Sequence, residues 1–360
     1  MLMKDSLLRF LVVVAFWLCG LGPVTSGSAD EEKKVVFAEE DRRSLWEDVI
    51  GYRATVDISG MGLYSDEKGD LANVFAIGFD ANAKISRWNR DLATIIVQLY
   101  GVRLENHPAP PPFFEGEDDW EFTPRICNVN FHLSGDGRFN IKAGHYEMPY
   151  GLEATINSNG TLRQFTHPSN LGTKVDWGVT ANGTFPKFQY EIGLSRGSGM
   201  EFESRGNPYA VAGRIGTPID TENFWGTTSY GLSFYQADLL LRNGTLMDRW
   251  RVGLDGQHYI GPFGGLGEIS FGETAGEATI NMLTELNVSN PKETLLTYSQ
   301  FRWVNQKRAM AWDDSGSIVF GVRYAPDNHW ALSAQFTQQL WRFMTAPTDQ
   351  LFQLQLRYRL

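Results

Sequence analysis

The sequence predicts an all-β chain, a transmembrane antiparallel β-barrel of about sixteen strands, with fourteen to eighteen as the range. Three observations carry this. Segments of roughly ten residues alternate apolar and polar side chains. The polar face of these segments holds many charges. The connections are short on one side and mostly long on the other.

Composition narrows the field first. The net charge of −10 argues against nucleic-acid binding, which needs a basic footprint. Two Cys, with no CxxC or CxxCH pair, exclude a disulfide scaffold, a zinc ribbon and c-type haem attachment. The 37 Gly and the 13% aromatic content suit short strands joined by tight turns.

Residues 1–29 read as a signal peptide. Lys4 and Arg9 form the charged start, and Phe10 to Gly22 an apolar run too short to span a membrane. Cys19 follows Leu18 rather than a small residue, which argues against a lipid anchor. Residues 30–50 form a charged periplasmic leader, and the barrel is expected over 51–360.

Alternation is clearest at the end of the chain. Phe352, Leu354, Leu356, Tyr358 and Leu360 share one face, and Gln353, Gln355, Arg357 and Arg359 the other. Trp250, Val252 and Leu254 likewise oppose Arg249, Arg251 and Asp255, and Ile318, Phe320, Val322 and Tyr324 oppose Arg323. The sixteen strands fall near 52–62, 73–83, 92–101, 126–133, 138–147, 173–182, 187–195, 209–216, 229–241, 248–259, 266–271, 278–286, 294–303, 317–324, 329–337 and 351–360. Short turns are expected at Ser134–Gly137, Gly183–Pro186, Gly261–Gly265 and Ala325–Asn328. Long external loops are expected at Val102–Arg125, Met148–Gly172, Arg196–Pro208, Val304–Gly316 and Gln338–Gln350. Thr217–Thr228 breaks the rule, being long on the short side. Trp177, Trp250, Trp303, Trp330 and Trp341, with Tyr190, Tyr324 and Tyr358, suit interfacial aromatic girdles. A secreted soluble β-sandwich binding module shares the alternation, but it would have to bury the strand charges unpaired.

In the barrel reading Lys142, Arg214, Arg249, Arg251, Arg302, Arg323, Arg357 and Arg359 point inward, eight cations. Asp176, Glu191, Asp255, Glu268, Glu277 and Glu285 join them, six anions. The pore lining is thus expected at Lys142, Arg214, Arg249, Arg251, Asp255, Arg302, Arg323 and Arg357, a weakly anion-favouring bore inside an acidic protein. Met148–Gly172 is the third external loop. Folded inward, it would constrict the bore with Glu153, Arg163 and His167, while Asn157 and Asn159 make turns.

No catalytic residues and no metal or cofactor site are expected. His107, His132, His145, His167, His258 and His329 form no HExxH, no GxSxG occurs, and Glu115–Asp119 lacks the spacing of an EF-hand.

The run IKAGHYEMPYGLE from Ile141 resembles the strand-to-loop signature of the porin O/P group, the phosphate-selective porin family. YAVAGRIGTP from Tyr209 and GPFGGLGEISFGE from Gly261 are similar to later segments of that family. The last strand is similar to the outer-membrane assembly signal but ends in Leu360 where Phe or Trp is usual. The resemblance implies a homotrimeric outer-membrane porin among lipids and lipopolysaccharide, reached by export through the periplasm. It would pass small anionic or polar solutes by diffusion, with its third external loop folded into the lumen. Phosphate itself would need a lysine cluster that the strands lack. The alternative is the sleeve of an electron or oxyanion conduit, for selenite or tellurite, with a multihaem cytochrome filling the lumen.

Overall fold

Alternating side chains let a strand face lipid on one side and water on the other, but only if the sheet has no open edge. This chain meets that demand. The computed structural model describes residues 49–87, 90–106, 119–202, 205–218, 222–223, 226–241, 243–308, 311–345 and 348–360. The signal peptide, the leader to residue 48, His107, the PAPPP run and Glu115, Glu117 and Asp118 lie outside them.

The strands are β1 (Val49–Ser65), β2 (Leu71–Arg87), β3 (Arg90–Glu105), β4 (Trp120–His132), β5 (Asn140–Glu147), β6 (Val175–Thr184), β7 (Gln189–Ser195), β8 (Tyr209–Gly216) and a two-residue β9 (Glu222–Asn223). Then come β10 (Gly226–Leu240), β11 (Leu246–Ile260), β12 (Phe263–Thr274), β13 (Glu277–Ser289), β14 (Leu295–Arg308), β15 (Ala311–Tyr324), β16 (Trp330–Trp341) and β17 (Gln350–Arg359). Each long strand pairs antiparallel with the next, β8 pairs directly with β10, and β17 pairs with β1. The sixteen long strands therefore close a cylinder, which overturns the β-sandwich.

Every predicted segment overlaps one long strand, and the two faces separate as expected. Phe352, Leu354 and Leu356 are exposed on the outer wall, with Leu232, Phe234, Val252 and Leu254 further round it. Their neighbours Gln355, Arg357, Ser233, Arg251 and Asp255 are buried on the inside.

Several expectations need correction. Val304–Gly316 is not a long loop: β14 and β15 stay paired up to Arg308 and Ala311. The run is polar on both faces because it stands beyond the apolar band, and its side chains pair locally, as Trp303 Nε1 donates to Asp314 at 3.1 Å. Val102–Arg125 and Gln338–Gln350 shrink for the same reason, as β3 runs to Glu105, β4 begins at Trp120 and β16 runs to Trp341. Among the described residues β1 already includes Val49 and Ile50. Gly261–Gly265 tightens, with β12 restarting at Phe263. Within Thr217–Thr228, β9 pairs with the start of β10. Trp177 is no girdle residue. It is buried, with Phe202 edge-on at 5.5 Å, and donates to the Met200 carbonyl at 3.2 Å.

Candidate functional site: a loop across the lumen

The connection between β5 and β6, residues 148–174, turns into the cylinder. Its base is closed by the Met148 N–H donating to the Lys174 carbonyl at 2.9 Å. The turn inward comes at Gly151, whose φ of +54° lies in the left-handed region. A side chain there would collide with the Glu268 carboxylate, so the glycine also permits the approach to the wall. The Gly151 N–H donates to Ser233 Oγ at 3.0 Å, and the Leu152 N–H donates to Glu268 at 2.8 Å. The Tyr150 hydroxyl donates to Ser270 Oγ at 2.9 Å.

On the return the loop forms one short helix, α1 (His167–Leu171), with Pro168 in its first turn and Gly172, φ +83°, at its C-terminal end. This helix presents Asn170, which is fully buried. Asn170 Oδ1 accepts from Arg251 Nε at 2.9 Å and Asn281 Nδ2 at 2.9 Å, and its carbonyl accepts from Arg249 at 3.0 Å. Thr166 Oγ1 donates to Glu268 at 2.6 Å. Arg163 forms a two-pronged pair with Glu285, at 2.9 and 2.5 Å. Burial alone would push the Arg163 guanidinium down, but the Glu285 bonds and charge hold it above its ordinary range.

Apolar packing backs these bonds. Tyr146, Met148, Tyr150 and Leu171 pack against Ala210, Ala212, Tyr235, Ala237 and Leu239. The small alanines of β8 and β10 make room for the tyrosines. Leu152 and Phe165 pack against Leu266 and Leu283. The wall from β8 to β13 is therefore covered by the loop.

The loop tip reaches the other side. The carbonyls of Asn159 and Gly160 accept from Arg357 at 3.2 and 3.1 Å, and Arg125 of β4 donates to Asn159 Oδ1. Arg357 is itself held by Asp57 of β1, its Nε 2.9 Å from both carboxylate oxygens, and the Tyr100 hydroxyl donates to Asp57 at 3.1 Å. Asn157 Oδ1 accepts from the Asn159 N–H at 2.9 Å, the turn expected of that pair. The lumen is thus bridged from β10–β14 to β17, β1 and β4.

The sequence-predicted residues divide into three groups. Some pair with acids: Lys142 with Glu191 at 2.7 Å, Arg214 with Asp255 at 2.9 and 2.6 Å, Arg357 with Asp57, and Arg359 with Asp80 at 2.9 Å. Some hold neutral acceptors on the loop: Arg249 and Arg251 hold Asn170, and Arg302 donates to the Gln164 carbonyl at 2.9 Å. Arg323 alone of the predicted lumen cations makes no hydrogen bond or ion pair among the described residues.

Glu153 departs from expectation. It is buried, takes Lys174 at 2.8 Å and Ser158 at 3.2 Å, and so braces the loop instead of lining the aperture. His167 opens α1, and its side chain lies outside the described residues. Asn170, Glu268 as a loop anchor, and the Asp57–Arg357–Gly160 tie were missed. Glu268 had a signal, since it sits inside one of the family-like runs and meets the GLE of another.

With this geometry in hand, the fold can be placed. The barrel is similar to the anion-selective porin from Comamonas acidovorans, at 13% identity and TM-score 0.60, over 86% of this chain and 99% of that one. It is similar to OprB of Pseudomonas putida, at 10% identity and TM-score 0.63, over 86% and 94%. It is similar to Salmonella typhi OmpF in complex with daunomycin, at 9% identity and TM-score 0.62, over 86% and 97%. No family model and no curated protein matches the chain. The fold is an all-β, porin-like closed barrel of sixteen long antiparallel strands. The likeness to the O/P group in particular rests on the three sequence runs.

Proposed function

We propose that the chain is an outer-membrane porin that passes small hydrophilic solutes by diffusion and mildly favours anions. Its partners would be outer-membrane lipids, lipopolysaccharide and two further copies of itself, after export through the periplasm under the signal peptide. No covalent chemistry is involved. The observation that carries the reading is the inward loop, bonded at both arms and at its tip, which narrows a polar bore. Charge in that bore favours anions through Arg323, the one predicted lumen cation that no acid or loop acceptor answers among the described residues. The loop also weighs against a cytochrome-filled sleeve, since a lumenal partner would have to break the Arg163–Glu285 and Arg357–loop contacts.

Planar-bilayer recording tests this. The purified barrel should give stepwise conductance in KCl, with a reversal potential in a salt gradient on the anion side. A preparation that does not conduct and carries haem would favour the sleeve and overturn the reading.

A further inference from the structure

Arg323 stands in a defined row. On β15 it pairs in register with Ser333 of β16, and Ser333 pairs with Gln355 of β17. Neighbouring strands lie about 4.8 Å apart, so these three inward side chains are adjacent. Neither Ser333 nor Gln355 makes a side-chain hydrogen bond among the described residues, and each keeps a small exposed edge on the lumen side, 5% and 9%. The adjacent row on one side differs. There the Tyr298 hydroxyl donates to Gln335 at 2.8 Å, and Gln335 donates to Gln353 at 2.7 Å, a chain that satisfies itself. The row beyond on the other side holds Arg357, already committed to Asp57 and the loop.

We infer that Arg323, Ser333 and Gln355 form a solute subsite on the β15–β17 wall of the lumen, selective for small hydroxylated monocarboxylates. The inference rests on the channel reading above and names the solute class. One free guanidinium presents two parallel N–H donors, the match for one carboxylate. Ser333 and Gln355 supply neutral donors and acceptors one and two strands away, where the hydroxyls of the same solute would lie. Phosphate, with close to two charges, would need a second free cation. The nearest candidates, Arg357 and Arg359, are held by Asp57 and Asp80.

The test is block of chloride current by sodium gluconate in single-channel recordings of the full barrel. Gluconate should reduce the current saturably. Arg323→Gln should raise its half-blocking concentration about tenfold, the loss of one charge-assisted pair. Arg323→Lys keeps the charge without the fork and should also weaken block while retaining anion preference. Ser333→Ala and Gln355→Leu should weaken block by gluconate and leave block by acetate unchanged. Unchanged gluconate block in Arg323→Gln, or inorganic phosphate blocking at a lower concentration than gluconate, would overturn the subsite. A barrel that carries no KCl current at all would instead reject the porin reading on which it stands.

Discussion

The two halves of the lumen use the same residue type in opposite ways. On the β10–β14 half, Arg249, Arg251 and Arg302 are consumed by loop carbonyls and amides, and the wall behind them is sealed by tyrosines and leucines. On the β15–β17 half, Arg357 is held by Asp57 and the loop tip, but Arg323 faces the bore beside a hydroxyl and an amide with no hydrogen-bond or ion-pair partner among the described residues. The contrast teaches that a lumenal arginine is not in itself a selectivity element. Its contribution to the field depends on whether a fixed dipole or charge already answers it.

The largest expected effect comes from removing a loop anchor. Glu285→Ala leaves Arg163 without its buried counter-charge, at a cost of about 3–5 kcal/mol. Conductance should become larger and noisier as the loop leaves the wall, and the barrel should unfold at a lower temperature. A quiet, unchanged channel would mean the covered half is not held by these bonds.

Gly151→Ala should act in the same direction but less. It forces a side chain into a positive-φ conformation that favours glycine, at about 1–3 kcal/mol, and crowds Glu268, so the loop's first arm detaches while its tip stays on Arg357. Open-channel noise is the readout, and the change should be smaller than in Glu285→Ala.

A paired comparison sharpens the contrast between halves. Arg323→Glu should move the reversal potential toward cations, whereas Arg251→Gln should mainly add gating noise, because its charge is buried beneath α1. Equal shifts in reversal potential would erase the distinction. The smallest effect belongs to Arg138→Ala. Its pair with Asp136 sits in an exposed turn, and neither stability nor conductance should change measurably.

Much of the barrel was legible because period-two alternation is local. The run from Phe352 to Arg359 declares both of its faces without reference to any other strand. Strand ends were less legible. Once β14 and β15 rise past the apolar band, as at Lys307 and Asp313, nothing forces alternation, and an extended hairpin looks like a loop. The inward apolar residues were opaque for a related reason. Leu266, Leu283 and Tyr235 sit on the polar face, and only the loop that covers them explains their presence. Pairing partners such as Asn170 with Arg251, or Gly160 with Arg357, link residues far apart in the chain, and no spacing rule reaches them. Glu153 illustrates the cost. A loop acid was read as facing the aperture when the nearby Lys174 had already taken it.

The register of β17 is the foundation of all these assignments, and adjacent residues test it. In a cysteine-free background, Gln355→Cys and Leu354→Cys differ by one position and, in this barrel, by one face. A charged, water-soluble thiol reagent applied during bilayer recording should lower the current through the Gln355→Cys channel and leave Leu354→Cys untouched. Modification of Leu354→Cys with loss of current, and an inert Gln355→Cys, would contradict the account.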